Sequence, residues 1–120
     1  MAKRKPVNPF HGRGTIEQMD QWDLEDESEE LEPFMEFDRN DSGQFQFGCV
    51  YGEMDCRLEL RDGRTAVEFS WYGNDETEHV FGRGWAVLEG ERLNGMIFFH
   101  LGDESGFTAR RDVEKRGKRR

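Results

Sequence analysis

The sequence predicts an all-β protein, an antiparallel up-and-down meander of about eight short strands that closes into a small barrel. Three observations lead there. Turn-forming pairs, Asp62-Gly63 above all, separate runs in which apolar and polar residues alternate. From Val80 to Arg110 three strand signals follow one another with short turns between them. Only 34% of residues are hydrophobic, yet the chain holds 10 Phe, 3 Trp and 14 Gly, which suits a small β core built from a few large side chains.

A chain of 120 residues fits one domain. We place the barrel at 12–111, between an N-terminal basic arm (1–11) and a C-terminal basic tail (112–120), both expected to be flexible. The formal charge of −9 conceals this division: residues 15–109 hold 24 acids against 6 arginines, near −18, while the cations cluster at the two ends. An acidic body repels phosphate, so nucleic acid is expected only through the basic tails, if at all. No apolar run approaches the ~20 residues needed to span a bilayer. The start, MAKRKPVNPF, lacks the apolar stretch of a secretory signal, so the expected location is cytoplasmic and no membrane partner is expected. Two cysteines, Cys49 and Cys56, are too few for a disulfide scaffold, and no zinc-like spacing accompanies them.

Taken in order, Gly12 to Trp22 reads as a first strand carrying Ile16 and Trp22. The acidic stretch Asp23 to Glu32 reads as a short helix or loop closed by Pro33. Phe34–Phe37 is a short strand, and Asp38 to Gly43 is dense in turn formers. Gln44 to Val50 alternates, and a turn at Gly52-Glu53 would set Cys49 opposite Cys56, leaving open a bridge between them. The Asp62-Gly63 turn pairs Leu60 with Thr65, Leu58 with Val67 and Cys56 with Phe69. The expected inner set is Phe45, Phe47, Cys49, Cys56, Leu58, Leu60, Val67, Phe69 and Trp71. A polar loop at 73–79 leads to strands 80–89 and 92–101 about the turn Gly90-Glu91, with Gly82, Gly84, Ala86, Ile97 and Phe99 on one face. Ser105 to Arg110 supplies the last strand.

The layout resembles the lipocalin-like (calycin-type) barrel over roughly residues 12–111, although Gly12-Arg13-Gly14 stands where lipocalins carry Gly-x-Trp. The words GQFQFG (43–48), VEFSWYGNDE (67–76), GRGWAVLEG (82–90) and GMIFFHLGDESGF (95–107) resemble a family of small uncharacterised bacterial proteins. That resemblance implies a bacterial, one-domain protein and carries no activity with it.

The candidate site is the second face of strands 80–101, with Arg83, Trp85, Met96, Phe98 and His100. Two partly apolar faces on one pair of strands imply that one is core and the other is covered by something else. If this face is outer, the protein is an interaction module with a protein partner or a second copy. The alternative is a small-molecule binder in which Arg83 and His100 line an interior pocket for an anionic ligand. Loops at one barrel end are rich in acids, with Asp75, Glu76, Glu78, Asp103 and Glu104 as possible oxygen donors, but no calcium-loop spacing is present and no metal or other cofactor is expected. Acid/base and nucleophilic motifs are missing, and His100, Asp103, Glu104 and Ser105 in one hairpin suit turn capping better than a triad, so no enzymatic activity is expected.

Overall fold

The computed structural model describes residues 9–21 and 32–112. Eight strands run in chain order: β1 (Gly12–Met19), β2 (Phe34–Phe37), β3 (Ser42–Phe47), β4 (Val50–Arg61), β5 (Arg64–Asp75), β6 (Glu78–Glu89), β7 (Arg92–Phe99) and β8 (Glu104–Arg111). Each pairs antiparallel with the next, and β8 returns to β1, so the sheet is a closed up-and-down barrel. Closure leaves no strand edge along that seam, which an open meander would expose. A register shift between Ile16 and Gln18 marks a bulge in β1. There Glu17 takes both Arg92 and Arg110 at 3.1 Å, linking the outer faces of β1, β7 and β8.

The hairpins about Asp62-Gly63 and Gly90-Glu91 form in the expected registers, with Leu58 opposite Val67, Cys56 opposite Phe69, Leu88 opposite Leu93 and Gly84 opposite Ile97. Asp62 and Gly63 take φ of 53° and 78°, the left-handed values that a type I′ turn demands of both central residues.

Alternation along the strands fills the interior with rings. Trp71 meets Phe45 and Phe99 edge-on, each at 5.1 Å, and Phe45 stacks on Phe47 at 5.7 Å. Two inward glycines make the room: a Cβ on Gly52 would lie 2.5 Å from the Phe45 ring, and one on Gly84 would lie 2.4 Å from that of Phe69. Phe10 packs on Phe37 at 5.8 Å, placing the segment before β1 against the core.

Four expectations are corrected. The β3–β4 turn is Gly48-Cys49, with Phe47 opposite Val50, rather than Gly52-Glu53. Cys49 therefore sits exposed in a turn while Cys56 is buried opposite Phe69, and the two do not face each other. The displaced turn moves the register by an even number of residues, so Cys56 keeps its inward face. Leu58 and Leu60 point to the expected side of β4 but are 43% and 75% exposed. β4 runs past the start of β3 at Ser42, so no wall covers its last residues. The polar stretch 73–79 is a loop for two residues only, because β5 and β6 pair as far as Asp75 with Glu78. The first strand ends at Met19, and the expected acidic helix or loop at 23–32 falls, except for Glu32, outside the described residues.

No helix among the described residues is long and apolar enough to cross a membrane.

Candidate functional site

On β5, β6 and β7 the inner positions are taken by Phe69, Trp71, Gly84, Ala86 and Ile97, so the alternate positions face out. At the barrel end that carries the 76–77 turn and the 100–103 loop, these outer positions are Ser70, Tyr72, Phe81, Arg83 and Phe98. Register sets Tyr72 beside Phe81, Ser70 beside Arg83, and Arg83 beside Phe98. The strand continues one hydrogen bond beyond β7, since the His100 amide donates to the Phe81 carbonyl at 2.8 Å. This brings the His100 ring onto Phe81, centroids 4.7 Å apart and planes 20° from parallel.

Ser70, Phe81, Gly82, Arg83, Phe98 and His100 together line an open groove of about 520 Å³. The absence of a side chain at Gly82 leaves backbone as part of its floor. A smaller depression of about 200 Å³ shares Ser70 and Arg83 and extends to Asp55, Arg57 and Glu68. Tyr72 and Phe81 are 63% and 52% exposed, a large apolar area to leave in water.

The groove holds one arginine, Arg83. Among the strand arginines, Arg13, Arg57, Arg61, Arg64, Arg92 and Arg110 pair with carboxylates, and Arg111 donates to the Pro9 carbonyl. Arg83 makes no ion pair with any described residue. A guanidinium in such a groove, beside Phe81, Phe98 and His100, suits a carboxylate as its partner.

Of the five residues expected to form the site, Arg83, Phe98 and His100 meet in this groove. Trp85 and Met96 face the same side but line a neighbouring groove of about 500 Å³ that opens towards Gln18, Asp20 and Arg64. There the Arg61 guanidinium covers the Trp85 ring at 4.5 Å. Arg83 and His100 thus stand outside the barrel, contrary to the interior-pocket alternative, because the interior is occupied by the rings around Trp71. The structure adds Ser70 and Tyr72 to the face. The register of the Asp62-Gly63 hairpin already implied that Ser70 and Tyr72 lie opposite the core side of β5.

The carboxylates of this end do not assemble into a centre. Among the described residues no group of three or more His, Cys, Asp or Glu side chains is placed to hold a metal ion. Ser105 lies on the inner side of β8, buried, accepting from the Gln21 amide at 3.1 Å and donating to the Gly106 carbonyl at 2.9 Å. It faces away from His100 and acts as a fastening between β8 and the residues after β1.

Burial pushes the Cys56 thiol up to about 12, with the nearby carboxylate of Asp55 adding to the effect. The core cysteine is therefore a neutral packing residue, and Cys49, which donates to Glu76 at 3.5 Å, is the accessible one.

No family model, curated protein or solved structure matches the chain.

Proposed function

We propose that this protein is a small interaction module that engages a protein partner through the outer face of β5, β6 and β7. The observation that carries the reading is the exposed groove of Phe81, Phe98 and His100, with Tyr72 beside Phe81, around Arg83, which makes no ion pair with any described residue. Aromatic residues with an arginine, desolvated on contact, are the typical anchors of protein interfaces. A ligand inside the barrel would need the space that Phe45, Trp71 and Phe99 already fill.

We read the barrel as lipocalin-like in its eight-strand meander, and the chain as a bacterial, cytoplasmic protein. The wording of residues 43–107 and an acidic, lysine-free body support that reading. The role is binding rather than catalysis, a reading supported by Ser105 being turned into the core and by a groove whose polar groups, among the described residues, are Ser70, Arg83 and His100.

The test places a photoreactive phenylalanine at Tyr72, and separately at Gln44 on the opposite wall, and irradiates the protein at its working concentration in its own cell extract. Covalent adducts are expected from position 72 and not from 44. Equal yields from both positions, or none from either, would overturn the assignment of this face.

A further inference from the structure

Four non-glycine residues of the described chain have positive φ: Asp41, Asp62, Glu76 and Leu101. Three are short turns' acidic residues, placed where water solvates them. Leu101, at φ 56°, differs. Left-handed backbone disfavours leucine, where glycine or asparagine would relax the turn, and its side chain is 94% exposed, so no core contact compensates. The 100–103 loop is nonetheless well tied. The Phe99 amide donates to the Asp103 carbonyl at 2.8 Å, and the Gly102 amide to the Phe99 carbonyl at 2.9 Å. A fastened loop that presents an unsupported leucine, followed two residues later by an exposed carboxylate, has the form of a plug. Next to it, beginning at His100, lies a groove walled by Phe81 and Phe98 that holds Arg83, which makes no ion pair with any described residue.

Plug and socket are complementary in charge, Asp103 against Arg83, and they adjoin in the chain, Leu101 following the groove residue His100. The described chain does not join the two by itself, since Arg83 and Asp103 make no ion pair with each other in it. Two chains related by a two-fold axis between loop and groove can, because such an axis lays each plug on the other's socket and makes every contact twice.

We propose that the partner of this face is a second copy of the chain. Leu101 of each copy seats between Phe81 and Phe98 of the other, and the Asp103 carboxylate meets the other copy's Arg83. The proposal rests on the interaction reading above and specifies its occupant. The acidic body sets a limit on affinity, because two bodies of like charge repel and only the groove contacts oppose that. The association is accordingly weak and reversible, and the charge pair at its centre decides the register.

The experiment is sedimentation velocity of the full chain over a concentration series, with three variants at exposed positions. Wild type is expected to shift from monomer to dimer as concentration rises. Leu101→Asp, Arg83→Asp and Asp103→Arg are each expected to weaken the dimer at least about tenfold, with circular dichroism unchanged. The decisive arm mixes Arg83→Asp with Asp103→Arg in equal amounts. In that heterodimer both contacts again join Asp to Arg, so mixing is expected to restore dimer that neither variant forms alone. Restoration cannot come from a folding effect, because it requires the two chains to meet.

A wild type that stays monomeric to about 1 mM overturns the proposal. So does a dimer indifferent to the three substitutions, or a mixture that fails to recover. Photoadducts from position 72 that join a different protein, in the absence of a dimer, would retain the interaction face and remove only the second copy as its occupant.

Discussion

Phe81 stacks on His100 on the outside of the barrel, while Phe45, three strands away, meets Trp71 on the inside. The two phenylalanines have the same chemistry and opposite duties. Phe45→Ala is expected to cost about 3–5 kcal/mol, since the side chain is wholly buried and the ring packing around Gly52 cannot close the void. Phe81→Ala, from a half-exposed site, is expected to change stability by less than about 1 kcal/mol while abolishing association. Urea unfolding of dilute protein, compared with sedimentation of concentrated protein, separates the two effects. A large stability loss on Phe81→Ala would show that the outer face belongs to the fold rather than to a partner.

Leu101 leads to a prediction of unusual sign. Leu101→Gly removes a side chain from a left-handed position and is expected to leave the monomer unchanged or to stabilise it by up to about 1 kcal/mol, the relief of φ strain being partly offset by chain entropy. The same substitution deletes the plug and weakens the dimer. Thermal melts at low concentration check the first effect. A marked drop in melting temperature would place Leu101 in the fold.

The two thiols are expected to react at very different rates. A disulfide reagent at pH 8 should modify one thiol per native chain, at Cys49, and two once the chain is unfolded. Cys49→Ser should abolish the fast reaction. Two rapid equivalents in the native state would contradict the burial of Cys56.

The raised Cys56 value also has a pH consequence. The neutral thiol is favoured in the fold up to about 12, against an ordinary 9.0, so its share of stability is intact below pH 9 and is lost as pH climbs from there towards 12. Cys56→Ala should start less stable at neutral pH and decline less steeply over that alkaline window. Parallel melting curves for both proteins from pH 8 to about 11 would refute this.

Trp71 combines burial with an indole N–H that finds no acceptor among the described residues. Removing that donor recovers about 1–3 kcal/mol of desolvation, which offsets area lost from the smaller ring. Trp71→Phe is thus expected to be nearly neutral in urea unfolding, and Trp71→Ala to cost about 3–5 kcal/mol.

What was legible in the sequence follows from where apolar pattern and hydrogen bonding coincide. At Asp62-Gly63 they do, and the pairing from Leu60 with Thr65 to Cys56 with Phe69 was readable residue by residue. At Gly48-Cys49 they do not. The alternation of Phe45, Phe47 and Cys49 runs on into the turn, and a cysteine at the tip looks like one more inward residue. At Gly73 to His79 the ladder persists as far as Asp75 with Glu78 while the apolar alternation vanishes. Leu58 and Leu60 show the converse, apolar residues on a strand whose neighbour has stopped short of them. The outer groove was half readable. Arg83, Phe98 and His100 share a face by parity alone, but the separation of Trp85 and Met96 from them depends on Arg61 covering the indole, a cross-strand contact that periodicity does not contain.

The junction of β1 with β8 has one more implication. The Asp112 amide donates to the Arg13 carbonyl at 2.9 Å, and the Thr15 hydroxyl to the Asp112 carboxylate at 2.9 Å, so the ring of strands is stitched where the described chain enters and leaves it. A ring has no first member. The order in which the eight strands are translated is then an accident of where the circle was cut, and a permuted gene that links Asp112 to Pro9 and opens at Asp62-Gly63 should yield the same barrel with its groove intact.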